Sequence, residues 1–167
     1  MNEPLGETIV IDETGIGLFQ VEVKAASATF LVDEPLQAGG DGSGPNPYDL
    51  LSAALGACTL MTVRLYARRK ALPLQRVRVM VTHHRPGLGA KDRFEREIEL
   101  HGDLDEVQRA KILDIAMHCP VHLTLERGSE IETRLVPPPA PAAPMTLGHH
   151  ARDIAAAGEV VGLGPDA

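Results

Sequence analysis

Asn46-Pro-Tyr-Asp-Leu-Leu-Ser-Ala-Ala-Leu-Gly-Ala-Cys58-Thr-Leu-Met-Thr-Val-Arg64 carries the signals of a long helix with a thiol near its middle. Asn46 reads as the N-cap, Pro47 as the first helical residue and Asp49 as the acid three positions after the cap. Leu51, Leu55, Cys58, Thr62 and Leu65 then recur at helical spacing, an apolar stripe that includes the thiol. Arg64, Arg68, Arg69 and Lys70 gather in the last turns, where cations suit the helix dipole, and Pro73 ends the run. Cys58 lies about three turns in, too far from the N-terminus to gain much from its dipole. Any activation of its thiol has to come from elsewhere in the fold.

Upstream of this helix, residues 8–12, 18–24 and 28–33 alternate apolar and polar side chains as half-buried strands do, and they predict an antiparallel meander. Gly39-Gly-Asp-Gly-Ser-Gly-Pro between the meander and the helix reads as a loop on the rim of a pocket. It lacks the lysine and the spacing of a phosphate-binding loop. Downstream, residues 76–84 and 93–101 are two more alternating strands, with Val77, Val79 and Val81 inward and the charges outward. Asp103 with Glu106 reads as a capping box for a second helix. Its apolar positions are Leu104, Val107, Ile112, Ile115 and Ala116, and it is expected to run to Cys119, with a break at Pro120. A short further helical turn over 121–126 and a last strand over 130–136 complete an α+β domain spanning residues 1–136. Pro137-Pro-Pro-Ala-Pro-Ala-Ala-Pro then marks a linker into a weakly ordered tail, residues 137–167.

Composition narrows the function classes. Aromatic residues make up only 3% of the chain, so Leu, Val, Ile and Ala must build the core. A formal charge of -7 argues against a nucleic-acid partner, because phosphate binding needs clustered cations. Before Arg64 the only cationic side chain is Lys24. The N-terminal residues lack a secretory pattern and no apolar run approaches a bilayer span, so a cytoplasmic, non-membrane protein is expected. In that reducing setting a permanent structural disulfide is disfavoured.

Cys58 and Cys119 are the only cysteines, and both fall within apolar elements rather than loops. His118, Cys119 and His122 with Cys58 resemble a zinc ligand set, but Pro120 interrupts the helix between the two histidines, and no metal or other cofactor is expected. A serine hydrolase would need a nucleophile elbow, and no Gly-x-Ser-x-Gly is present. Two readings of the cysteines remain. They are small core hydrophobes, or they are a redox pair whose sulfurs meet in at least one state.

Gly44-Pro-Asn-Pro-Tyr-Asp-Leu-Leu-Ser-Ala-Ala-Leu-Gly-Ala-Cys58-Thr-Leu-Met-Thr, followed by Tyr66-Ala-Arg-Arg-Lys, resembles the first-cysteine helix of the OsmC/Ohr family. Gly102-Asp-Leu-Asp with Ile115-Ala-Met-His-Cys119-Pro-Val-His-Leu-Thr-Leu is similar to that family's second-cysteine segment. The resemblance covers residues from about 8 to 136 and is greatest to the family's less characterised OsmC-like branch. It implies an intertwined homodimer, with antiparallel sheets wrapped around central cysteine-bearing helices. It further implies cysteine-based reduction of organic hydroperoxides in oxidative stress, with Cys58 attacking, Cys119 resolving and a dithiol reductant such as a lipoyl group. The alternative is a non-catalytic relative that binds a small apolar molecule at the dimer interface. Two family features are missing. Tyr48 holds the position of the usual glutamate, leaving Asp49 as the nearest carboxylate, and the usual N-terminal arginine has no counterpart. The meander is also too poor in bulky side chains to cover the Cys58 helix, which independently points to a second copy of the chain.

Overall fold

In the Asn46 cap, Oδ1 accepts from the backbone N–H groups of Tyr48 and Asp49, and Asp49 Oδ2 accepts in return from the Asn46 N–H at 3.0 Å. This reciprocal cap starts α1, Pro47–Arg69, as the sequence predicts. A computed structural model describes residues 8–25 and 28–137. Before α1, strands β1 (Val10–Glu13), β2 (Val21–Ala25) and β3 (Ala28–Val32) form the expected antiparallel meander in the order β1-β2-β3. After it, β4 (Leu74–His84) and β5 (Arg93–Gly102) pair antiparallel along nearly their whole length, with Val77 opposite Leu100 and Val81 opposite Arg96. Helices α2 (Glu106–Ala116) and α3 (Pro120–Arg127) follow.

The glycine-rich loop is a collar around one carboxylate. Asp33, at the end of β3, accepts from the N–H groups of Glu34, Asp41 and Ser43 and from the Ser43 hydroxyl. Burial opposes its charge, but these four donors outweigh it and hold the carboxyl below its usual range. The collar is drawn so tight that a Cβ at Gly40 would collide with the Glu34 carbonyl, and one at Gly44 with the Leu31 carbonyl. N–H groups of a kind that could hold a phosphate are thus taken by Asp33.

α1 lies across β4 and packs on α2 and α3. Its buried flank is Leu55, Gly56, Thr59, Val63 and Ala67. That flank is turned by about 100°, one residue's rotation, from the stripe expected from Leu51, Leu55, Cys58, Thr62 and Leu65. Small residues explain the difference. Gly56 brings the helix close to the sheet, where a Cβ would already reach Val81 at 3.4 Å. The larger side chains Leu51, Met61 and Leu65 stay 41%, 68% and 51% exposed on the opposite flank. α1 is also long and apolar enough by length and composition to span a bilayer, contrary to expectation, because no charge falls between Asp49 and Arg64.

Val63, Ala67, Leu74, Val77, Leu104, Ile112 and Ala116 form the core between α1, the β4–β5 hairpin and α2. The cap of α2 is Asp105 with Gln108, two residues later than the predicted Asp103–Glu106 box, because Leu104 is drawn into the core ahead of the helix. Val107 is exposed rather than inward. α2 ends at Ala116 instead of running to Cys119, so the helical break comes three residues before Pro120. The chain divides into a unit ending at Ser129 and one beginning at Glu130. The strand expected over 130–136 is not formed, and Ile131, Leu135 and Val136 are exposed. A strand needs a hydrogen-bonded neighbour, and alternation alone does not supply one. The tail beyond residue 137 lies outside the described residues.

Candidate functional site

Three elements bring their side chains to one point behind α1. Thr59 is on its buried flank, one residue from Cys58. Cys119 is fully buried and is the N-cap of α3, so its sulfur accepts from the His122 N–H at 3.4 Å. Pro120 at the first helical position permits this, since it has no N–H to satisfy and breaks the chain away from α2. The Thr59 hydroxyl lies 3.5 Å from the Cys119 sulfur and 2.7 Å from the Leu55 carbonyl. The third element is β5. Arg96 donates from Nη1 to the Thr59 hydroxyl at 2.7 Å and from Nη2 to the Met117 sulfur at 3.5 Å.

Burial by itself pushes the Cys119 thiol toward the neutral form. Hydrogen bonding with Thr59 and with the His122 N–H, together with the nearby Cys58 side chain and the Arg96 charge, outweighs it and lowers the thiol below its ordinary range. Cys58 is half-buried and Cys119 fully buried, so the outer of the two thiols is Cys58. Both are free. The structure therefore places Cys119 against Thr59, the residue next to Cys58, joining segments 60 positions apart.

Asp49 is not brought to them. Its carboxylate closes the helix cap, nine positions before Cys58, or about 13 Å along the helix axis. Tyr48 stacks on His83 with ring centroids 4.3 Å apart, and His83 Nε2 lies 2.8 Å from Asp92 Oδ1. Arg85 sits over the other part of this cluster, 5.1 Å from the Tyr48 ring centre. Arg64 donates to the carbonyls of Leu74 and Gln75 and so ties α1 to β4. His118 turns to the Asp114 carbonyl at 2.7 Å and is exposed, so it does not join Cys119. Among the described residues no group of three or more His, Cys, Asp or Glu is placed to hold a metal.

Next to Arg96 a mainly apolar cavity of about 350 Å³ opens between α1, β5, α2 and α3, with Lys91, Asp92, His122 and Glu126 also on its wall and neither cysteine lining it. Leu55, Phe94, Ile98, Leu113 and Met117 line it, and Arg96 stands in its wall. Arg96 and Thr59 are the site residues that sequence reasoning missed. A signal for Arg96 was present: in Phe94-Glu-Arg96-Glu-Ile98-Glu-Leu100 the period of two puts this arginine on the apolar face, not outward with the glutamates. For Thr59 no signal was available, because the stripe on α1 was assigned to the adjacent flank.

A family model described as OsmC-like protein matches residues 40–134, more than half of the chain. No curated protein matches by sequence. Among solved structures, one from Psychrobacter arcticus 273-4, described as an osmotic stress induced and detoxification response protein, is similar with a TM-score of 0.64 and 19% identity; 74% of this chain and 91% of that one are covered. An OsmC like protein from Mycoplasma pneumoniae is similar with a TM-score of 0.59 and 22% identity over 75% of this chain and 89% of its own. An organic hydroperoxide resistance protein from Legionella pneumophila gives 0.52 and 19% over 74% and 91%. At these identities the likeness extends to the fold, an α+β arrangement of antiparallel sheets and helices.

Proposed function

The chain belongs to the OsmC-like family, and from that membership and its paired thiols we propose that it reduces hydroperoxides, organic ones above all, in defence against oxidative stress. The observation that carries this reading is that Cys119 packs against Thr59, the residue next to Cys58, while Arg96 donates to the same hydroxyl. Inert core cysteines need no cation and no ring of donors around the sulfur. The hydroperoxide resistance ascribed to the Legionella relative points the same way.

In this mechanism the Cys58 thiolate attacks the terminal oxygen of R–O–O–H. The O–O bond breaks, sulfur gives up two electrons, and the alkoxide takes a proton to leave as alcohol. The Cys119 sulfur then attacks the Cys58 sulfenic acid, the S–O bond breaks, and water leaves as the disulfide forms. A dithiol reductant, of lipoyl type, reopens the disulfide and is itself oxidised to one. The half-buried Cys58 suits the attacking role, and the fully buried Cys119 suits the resolving one. Asp49 enters only as the carboxylate nearest to the position that Tyr48 occupies.

The active form in this reading is a homodimer in the cytoplasm. Two surfaces support it: the exposed α1 flank of Leu51, Met61 and Leu65, and a meander whose Ile11 and Phe30 are exposed and which packs little on the helices of its own chain. A second reading, binding of a small apolar molecule without catalysis, is favoured by the apolar cavity alone.

The cysteine variants separate the two. Cys58→Ser abolishes hydroperoxide consumption. Cys119→Ser allows one turnover and leaves a sulfenic acid on Cys58, seen by mass spectrometry after one equivalent of an aryl alkyl hydroperoxide. Sulfenic acid forming on Cys119 in the Cys58→Ser chain at the unsubstituted rate would reverse the roles. Full retention of both free thiols in the unsubstituted protein would leave the binding reading.

A further inference from the structure

Arg96 is a cation on the apolar face of β5, and among the described residues it has no carboxylate within 4.0 Å. Its half-buried guanidinium shares a cavity wall with Lys91, Asp92, His122 and Glu126, but Asp92 is engaged by His83 and Arg85 and Glu126 by His122, and Arg96 turns instead to the thiol site. Its Nη1 is hydrogen-bonded to the Thr59 hydroxyl, which is itself in reach of the Cys119 sulfur. With Arg96 occupying one lone pair of that oxygen, the single hydroxyl proton has two places to go. Pointed at the Leu55 carbonyl, it leaves the oxygen to accept from a Cys119 thiol; pointed at the sulfur, it donates to a thiolate.

We propose that Arg96, acting through Thr59, is the positioning residue of the thiol site, supplying a cation where the usual N-terminal arginine has no counterpart and stabilising Cys119 in its thiolate form. The assignment rests on the reading of Cys58 and Cys119 as a redox pair. The titratable and charged groups facing Cys119 are Cys58 on α1, Arg96 on β5 and His122 on α3, where His122 leans toward Glu126 at 3.7 Å. On α2, Asp114 is engaged by Lys111 and His118.

As a thiolate, Cys119 then works twice. It accepts the proton of the Cys58 thiol, making the outer sulfur nucleophilic. After Cys58 has taken the terminal peroxide oxygen, Cys119 returns that proton to the departing alkoxide, which leaves as alcohol. Once more a thiolate, Cys119 attacks the Cys58 sulfenic acid and expels hydroxide, which solvent protonates to water. One hydroperoxide has been reduced by two electrons and one disulfide formed.

The test uses the full chain carrying Cys58→Ser, so that Cys119 is the only thiol that titrates. Ultraviolet thiolate absorbance is followed against pH. Arg96→Met and Thr59→Val each move the curve to higher pH, with a loss of roughly threefold or more in thiolate signal at neutral pH. Arg96→Lys, which keeps the charge, and Thr59→Ser, which keeps the hydroxyl, stay nearer the parent. Circular dichroism checks folding, and should Arg96→Met fail it, Thr59→Val and Arg96→Lys carry the comparison. Coincident curves for the parent and a folded Arg96→Met or Thr59→Val chain overturn the assignment, as does an equal shift for Arg96→Met and Arg96→Lys. Hydroperoxide consumption by the unsubstituted protein tests the peroxidase reading separately, since the titration involves no peroxide.

Discussion

Oxidising the thiol pair should make the protein markedly harder to unfold, and the size of the effect follows from the chain. Cys58 and Cys119 are 61 positions apart (119 − 58), so a bond between them closes a long loop in the unfolded state. The chain-entropy relation for a loop of that length gives about 4 kcal/mol at room temperature. Thr59, the residue after Cys58, already lies 3.5 Å from the Cys119 sulfur, so closing the bond asks for a local movement and little native strain is subtracted. With a urea slope of about 2 kcal/mol per M, the unfolding midpoint rises by roughly 2 M. The assay is urea unfolding followed by circular dichroism at fixed protein concentration, before and after one equivalent of organic hydroperoxide, without reductant. A Cys119→Ser control removes the cross-link and should show no rise. An unchanged or lower midpoint in a sample proven by mass to hold the Cys58–Cys119 bond would mean the sulfurs cannot join without distorting the helices. The geometric case for a resolving cysteine would then be lost.

Light scattering at micromolar concentration should give twice the chain mass, and Met61→Glu with Leu65→Glu on the exposed α1 flank should reduce it to one; a monomer in the unsubstituted protein would contradict the dimer. Truncation after Val136 should shift the melting temperature only slightly, because a proline-rich linker cannot join a helix or sheet; a large drop would show that the tail docks on the body. Asp33 has a depressed pKa when folded, so its contribution is present above the ordinary carboxylate range and disappears as pH falls through the folded value. Protection of the Asp41 and Ser43 amides from hydrogen exchange, relative to the intrinsic rate at each pH, should therefore fall on acidification, and Asp33→Asn should lower it at neutral pH. Unchanged protection in that variant would mean that the collar stands without the carboxylate.

Much of this fold was legible because its signals are local. Asn46, Pro47 and Asp49 cap α1 through groups within three residues of each other, and a cap needs nothing from the rest of the chain. The five strands before α2 follow from alternation, which the backbone imposes residue by residue. The shifted cap at Asp105 shows the limit of such rules. Asp103–Glu106 and Asp105–Gln108 are both valid boxes, and the choice fell to Leu104, whose burial depends on Ile112 and the β4–β5 hairpin. Residues 130–136 show it again, since a strand pattern becomes a strand only beside another strand.

For the site, the sequence by itself determined which thiols were candidates and that Cys58 lies within a long helix, although Cys119 proved to sit in the break between α2 and α3, and the motifs around them tied the chain to a family. Only the tertiary structure decided that the flank of α1 facing inward carries Thr59, that the inner cysteine caps a helix, and that Arg96 reaches the Thr59 hydroxyl from β5. Periodicity specifies that residues share a face. It does not specify what that face meets, and the charge state of a sulfur depends on what lies opposite it, across α1, β5 and α3.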